Sequence, residues 1–205
     1  MSAARDEILA RTREAIGVTT APDPSVRAYR TVGALEAQAR VELLRERLID
    51  YRARVELSTE AELGNVVEEV SRSGRIGVPP GLPESWRPPN AIEDHGLGAH
   101  ELDGLDGVLT GCTVAIAETG TLVLAGGSTE GRRGLTLVPD LHICVVRTDQ
   151  VVETVPEAFA SLGGLERRPL TFVSGPSATS DIELQRVEGV HGPRTLVVVI
   201  LRPGV

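Results

Sequence analysis

Apolar residues recur along this chain with two different periods, and the change from one to the other divides it. Residues 3–16 place Ile8, Leu9, Thr12 and Ile16 on a helical repeat that Gly17 closes. A proline-bearing stretch at 19–30 shows little periodicity. A long helix is predicted from Val32 to Tyr51, with Leu35, Ala39, Leu43 and Leu48 as its buried stripe and Glu and Arg on the opposite, solvated face. Beyond it the pattern shortens. ARVELS (53–58) reads as a strand, and Thr59 with Glu62 reads as a capping box for a helix reaching Ser73. RIGVP (75–79) is the next strand, followed by a proline-rich loop that holds the single tryptophan, Trp86. Further strands are predicted at 113–117, 121–125, 141–147, 170–174 and 195–201, with a helix at 154–162. LVVVIL (196–201) is apolar on both faces, as a strand covered on both sides would be. Strands alternating with helices predict an α/β fold with an open, mostly parallel sheet flanked by helices. The division expected is an N-terminal helical extension over 1–50 and an α/β domain over 51–205.

Composition narrows the chemistry. Aromatic residues make up 2% of the 205 residues, so a core must be built from Val, Leu, Ile and Ala. The net charge of -8 argues against nucleic acid or an anionic membrane surface as a partner. All 21 basic residues are arginine, which excludes a lysine Schiff base, a P-loop lysine or a lysine general base. The 2 cysteines, Cys112 and Cys144, cannot supply four thiolates to an iron–sulfur cluster, and no cofactor is expected. The charged N-terminus is unlike a signal peptide, and no apolar run approaches the roughly 18 residues of a membrane span, so a cytoplasmic protein without membrane insertion is expected.

Three segments carry candidate chemistry. In AIAETGTLVLAGG (115–127), Glu118, Thr119, Gly120 and Thr121 occupy the turn between two apolar strands. Glu118 reads either as a solvated turn carboxylate or as a partly desolvated acid–base group. In GRRGLTLVPDLHICVV (131–146), Arg132 and Arg133 present guanidinium forks suited to a carboxylate or phosphate. His142 and Cys144 share a strand face there and read as core residues. In FVSGPSATSDIELQRVEGVHGPR (172–194), Ser174, Gly175, Pro176, Ser177, Thr179 and Asp181 follow a strand, and the closing turn adds His191 and Arg194. This loop reads either as turn chemistry or as an anion site at a strand's C-terminal end. Asp181, Glu183 and His191 match no compact metal motif. Cys112 is placed in a loop before a strand, without a partner that would make it a nucleophile.

The blocks AIAETGTLVL, GRRGLTLVPDLHICVV, SGPSATSDIE and GVHGPR, in that order and spacing, resemble the signature blocks of the lactate-utilisation protein C family, the LUD domain. The resemblance is dense over 105–201; Ala178 departs from it, standing where a basic residue is expected in many members. It implies a fold similar to the sugar-phosphate isomerase and CoA-transferase superfamily. It also implies a non-redox component of an L-lactate oxidation system, acting with iron–sulfur partner subunits. Arg132, Arg133 and the 174–181 loop would then hold a small carboxylate or phosphate-bearing ligand, with Glu118 and His191 as catalytic groups. The alternative it implies is a stand-alone isomerase or acyl-CoA transferase-like enzyme that uses Glu118, by analogy of fold. A third reading is a regulatory or assembly protein with a vestigial pocket.

Overall fold

The computed structural model describes residues 3–17, 29–72, 74–165, 168–176 and 192–203, with the backbone alone at 178–179 and 187–188. Residues Met1–Arg30 form one unit and Thr31–Val205 another. In the first, α1 (Ala3–Ile16) forms where the period predicts it, yet none of its side chains is buried and Ile8 and Ile16 stay exposed.

The second unit begins with α2 (Ala37–Asp50), which buries Val41, Leu44 and Leu48 in the main core. Of the expected stripe only Leu48 is buried; Leu35 precedes the helix and is exposed, and Leu43 is half-buried. Val41, Leu44 and Leu48 lie three and four apart, which puts them on one face. The backbone ahead of the helix is anchored by carboxylates. Glu153 accepts from the N–H groups of Ala34 (2.7 Å) and Leu35 (2.6 Å), and Glu157 from that of Gly33 (3.0 Å).

The strands β1 (Arg54–Ser58), β2 (Ile76–Val78), β3 (Ala91–Glu93), β4 (Gly107–Gly111) and β7 (Leu141–Arg147) join β12 (Thr195–Leu201) in a six-stranded sheet. Its order is β1-β12-β7-β4-β2-β3, and every neighbouring pair is parallel. The helices α3 (Leu63–Ser71) and α4 (Ala99–Asp103) lie on its connections, and α5 (Arg133–Leu137) leads into β7. Glu62 accepts from the N–H and hydroxyl of Thr59, as a capping box would, but α3 begins only at Leu63.

The strands β5 (Val114–Ile116), β6 (Thr121–Leu124), β8 (Val151–Val152) and β9 (Thr171–Val173) form a second, mixed sheet ordered β8-β5-β6-β9. A two-stranded ribbon joins β10 (Ala178–Thr179) to β11 (Val187–Glu188). The last helix, α6 (Val155–Ser161), carries a capping box of Thr154 with Glu157 and packs Ala158 against Val114, Ile116 and Val123 of the smaller sheet.

β12 is the spine of the molecule. Leu196, Val198 and Ile200 pack with Cys144 and Val146 against α2 and the smaller sheet. Val197, Val199 and Leu201 face the other way, onto Ile143, Val145, α3 and Trp86. Burying an aliphatic side chain contributes roughly 1.5–3 kcal/mol, so a strand apolar on both faces is stable only where it is covered on both. The smaller sheet therefore lies across one face of the larger one, and the gap between their ends holds the candidate site.

Candidate functional site

Two adjoining cavities open where β9 and its following loop approach the N-terminal ends of β7 and β12. The smaller has a volume of about 260 Å³ and is lined by His142, Leu196, Thr136 and Leu137 on one side and residues 171–176 on the other. The larger, about 470 Å³, is lined by the 124–126 turn, Glu130, Arg132, Arg133 and Arg168. Thr136 and Thr171 border both, so the two form one cleft with chemically different ends.

At the smaller end, His142 is 1% exposed and its Nε2 lies 2.8 Å from the Thr110 hydroxyl. Burial in a site without a charged partner lowers its pKa from 6.5 to about 4, so the ring is neutral at physiological pH. Thr136, which lines this end, donates its hydroxyl proton to the Arg133 carbonyl, so its oxygen is left able to accept.

At the larger end the arginines differ. Arg132 is committed: its Nε and one terminal nitrogen hold Asp94 at 2.7 and 3.0 Å, and the same nitrogen donates to the Leu97 carbonyl. The guanidinium groups of Arg133 and Arg168 have no hydrogen-bond or ion-pair partner among the described residues. The one carboxylate bordering this cavity among the described residues, Glu130, is 3% exposed. It accepts from the Thr113 hydroxyl (2.5 Å) and the N–H groups of Ala125 (2.8 Å) and Gly127 (2.9 Å). Two arginines without a partner among the described residues thus border the same cavity as a carboxylate that already accepts three hydrogen bonds.

The residues singled out from sequence divide among three places. Ser174, Gly175 and Pro176 line the smaller cavity, and Arg132 and Arg133 the larger. Glu118, Thr119, Gly120, Thr121 and Arg194 line neither. Glu118 is half-buried in the β5–β6 turn, where its N–H donates to the Glu153 carbonyl at 3.1 Å. Thr121 links to Thr119 and to Ser174, each hydroxyl pair at 2.7 Å, and so ties that turn to the cavity wall. Arg194 is an exposed residue 3.4 Å from Asp140. Ser177, Asp181, Glu183 and His191 lie outside the described residues, as does the Thr179 side chain.

One expectation needs correcting. The 174–176 segment follows a strand of the mixed sheet, so the rule for the C-terminal ends of parallel strands does not apply to it; the parallel strands that border the cavity do so at their N-terminal ends. Cys112 stands where the pattern placed it, in the short loop between β4 and β5; it is 2% exposed, and its contact with Cys144 together with burial holds its thiol well above the usual range. A buried, protonated thiol is a poor nucleophile.

Sequence reasoning passed over Arg168, Thr136 and Thr171 and set His142 aside as core. Arg168 stands in a run of charged and apolar residues before a strand, where an arginine bordering a cavity has the same local pattern as a solvated one.

Gly120 has a structural duty. Its φ is +59, and a Cβ there would stand 2.8 Å from the Cβ of Arg47 and 3.1 Å from its backbone carbon. Left-handed backbone alone disfavours a side chain by about 1–2 kcal/mol. Gly120→Ala is therefore expected to lower the thermal midpoint by roughly 4–8 °C, as read by calorimetry. An unchanged midpoint would show that the turn relaxes freely away from α2.

Fold and cleft together define a class: an open parallel α/β domain with a small mixed sheet laid across one face and a ligand-sized cleft between their ends. Residues 98–201 match the family model of the LUD domain. A "Lactate utilization protein C" from Deinococcus radiodurans is 47% identical over 172 residues, covering 80% of this chain and 81% of that protein. A protein of the same name from Geobacillus kaustophilus is 28% identical over 148 residues, covering 66% of this chain and 61% of that protein. A crystal structure of a DUF162 family protein from Deinococcus radiodurans superposes with a TM-score of 0.73 at 37% identity, covering 82% of this chain and all of that one. The chain belongs to the LUD-domain family. Among the described residues, no helix is long and apolar enough to cross a membrane.

Proposed function

We infer that this chain is a component of lactate utilisation whose cleft binds a small carboxylate, and that it acts beside iron–sulfur partner subunits that carry the electrons. One observation carries the carboxylate reading: Arg133 and Arg168, both without partners among the described residues, border a single cavity. In a chain of net charge -8, an unpaired cationic pair at a cavity is a local inversion of sign that suits an anion. A guanidinium matches the two oxygens of a carboxylate with two parallel donors. The lactate reading rests on relatives bearing the name lactate utilization protein C. The division of labour rests on the 2 cysteines, both buried, which cannot together hold a four-thiolate cluster.

Titration calorimetry with lactate and pyruvate at low salt tests the site. Arg133→Ala and Arg168→Ala are each expected to weaken binding by about tenfold, the worth of one charge-assisted hydrogen bond at a partly solvated site. Glu118→Gln, outside the cleft, is expected to leave affinity unchanged. Lactate-dependent dye reduction by the partner subunits should then require this chain and fail with the double arginine variant. Affinities indifferent to both arginines, or dye reduction indifferent to the chain, would remove this reading.

A further inference from the structure

We propose that the smaller cavity recognises the oxygen next to the ligand's carboxylate, and that His142 donates to it through Nδ1–H, so that the cleft selects 2-oxygenated carboxylates. The carboxylate half of this statement rests on the arginine reading above; the His142 half stands on its own geometry.

The protonation pattern of the ring follows from its neighbour. Thr110 is wholly buried, and its hydroxyl has one partner among the described residues, His142 Nε2 at 2.8 Å. Were Nε2 the donor, the Thr110 proton would have no acceptor among the described residues, which is the costly arrangement for a buried hydroxyl. Thr110 therefore donates, Nε2 accepts, and the single proton of a neutral imidazole sits on Nδ1. Burial keeps the ring neutral.

Nδ1 has no partner among the described residues. It is nevertheless not an orphan enclosed by protein, because the only buried side-chain nitrogen or oxygen without a partner there is Arg40 Nε. The small part of His142 that remains accessible therefore includes Nδ1, and the space it opens on is the cavity the ring lines. The site is a nearly enclosed N–H donor fixed in one tautomer by a second buried side chain. Leu196, Leu137 and Val173 supply apolar walls around it, and the Thr136 oxygen offers an acceptor. An uncharged oxygen suits this end, because a neutral donor among apolar walls gives little to a full negative charge. A 2-oxo group accepts from Nδ1–H; a 2-hydroxyl accepts from it and donates to Thr136. The shared residues Thr136 and Thr171 join this end to the arginine end.

The experiment is a ring-nitrogen NMR titration of the full chain, with His142 assigned by its loss in His142→Phe. The free protein should show His142 as the Nδ1–H tautomer, and Thr110→Val should mix the tautomers by removing the hydroxyl that sets them. Three probes separate the two ends: pyruvate, propionate (a carboxylate without the 2-oxygen) and methyl pyruvate (the 2-oxygen without the charge). Pyruvate is expected to shift Nδ1 and to bind about five- to tenfold tighter than propionate, the worth of one neutral hydrogen bond. Methyl pyruvate should shift Nδ1 more weakly, and propionate should leave it in place. His142→Phe should bring pyruvate down to the affinity of propionate. If methyl pyruvate moves Nδ1 while no carboxylate binds, the His142 site stands and the arginine reading fails. If neither pyruvate nor methyl pyruvate moves Nδ1, or an Nε2–H tautomer is found, the inference is overturned, whatever the arginines bind.

Discussion

Lowering the pH from 6.5 to 4 is expected to remove roughly 3 kcal/mol of stability through His142 alone. The folded chain holds this imidazole neutral, with a pKa pushed down to about 4 by burial, whereas the unfolded chain releases it to its ordinary 6.5. Between those values the unfolded state binds a proton that the folded state does not, so stability falls as pH falls. Above 6.5 both states are neutral and the contribution is constant; below about 4 both are charged and the loss levels off. The ring is 1% exposed, so solvent screening takes little from the figure. Urea unfolding at a series of pH values, run on the wild type and on His142→Phe, isolates the term from the many carboxylates that titrate nearby. The acid limb of the variant should be flatter by about 3 kcal/mol across this window, whatever the variant's stability at neutral pH. Parallel limbs would show that the ring is hydrated or protonated in the folded state. The tautomer assigned to it would then fall as well.

Arg132→Ala is expected to destabilise the fold by about 2–3 kcal/mol while weakening carboxylate binding less than Arg133→Ala does. The Asp94 side chain is 2% exposed, and it depends on Arg132 for two of its hydrogen bonds. The N–H groups of Gly96 (3.1 Å) and Leu97 (2.9 Å) supply two more. Burial pushes this carboxyl's pKa up, but the guanidinium and the two backbone donors outweigh it and hold the carboxyl below its ordinary 3.8. The stabilisation is therefore present above 3.8 and is lost as the pH falls through the lower folded value. Removing Arg132 leaves a buried carboxylate with half its donors, which is costlier than never having had the pair. Arg132 itself is 45% exposed, and this holds the estimate below that for a fully enclosed pair. A urea midpoint for Arg132→Ala within error of the wild type would contradict the estimate. Asp94→Asn combined with Arg132→Ala should cost less than the sum of the single changes, because the two residues stabilise each other. Arg132 thus holds the turn after β3 in place and borders the cavity chiefly as wall, leaving Arg133 and Arg168 for the ligand.

The strands at Leu141–Arg147 and Thr195–Leu201 were legible to the residue, because an apolar run that is β-branched and bounded by polar turns has few other ways to fold. β4 was missed. Gly107 and Gly111 bracket it and hide the short apolar run, yet they are needed: a Cβ on Gly107 would stand 3.0 Å from that of Leu141, and one on Gly111 would stand 3.1 Å from the Thr129 hydroxyl. α5 was missed for a similar reason, being one short turn around a glycine.

By itself the amino-acid sequence determined the α/β class, the mostly parallel sheet with β12 as an interior strand covered on both faces, and the family, because periodicity, composition and motif order are properties of neighbours along the chain. It also determined that Arg132 and Arg133 stand together. Only the tertiary structure decided that one of them is tied to Asp94, 38 residues away, while the other is left without a partner among the described residues. Arg168 joins the cleft because β9 pairs with β6 across the mixed sheet, and His142 becomes a cavity donor because Thr110, on the neighbouring strand, takes its other nitrogen. Partnership and burial belong to groups brought together across long stretches of chain. The local sequence of an arginine or a histidine therefore does not reveal whether it is free to meet a ligand.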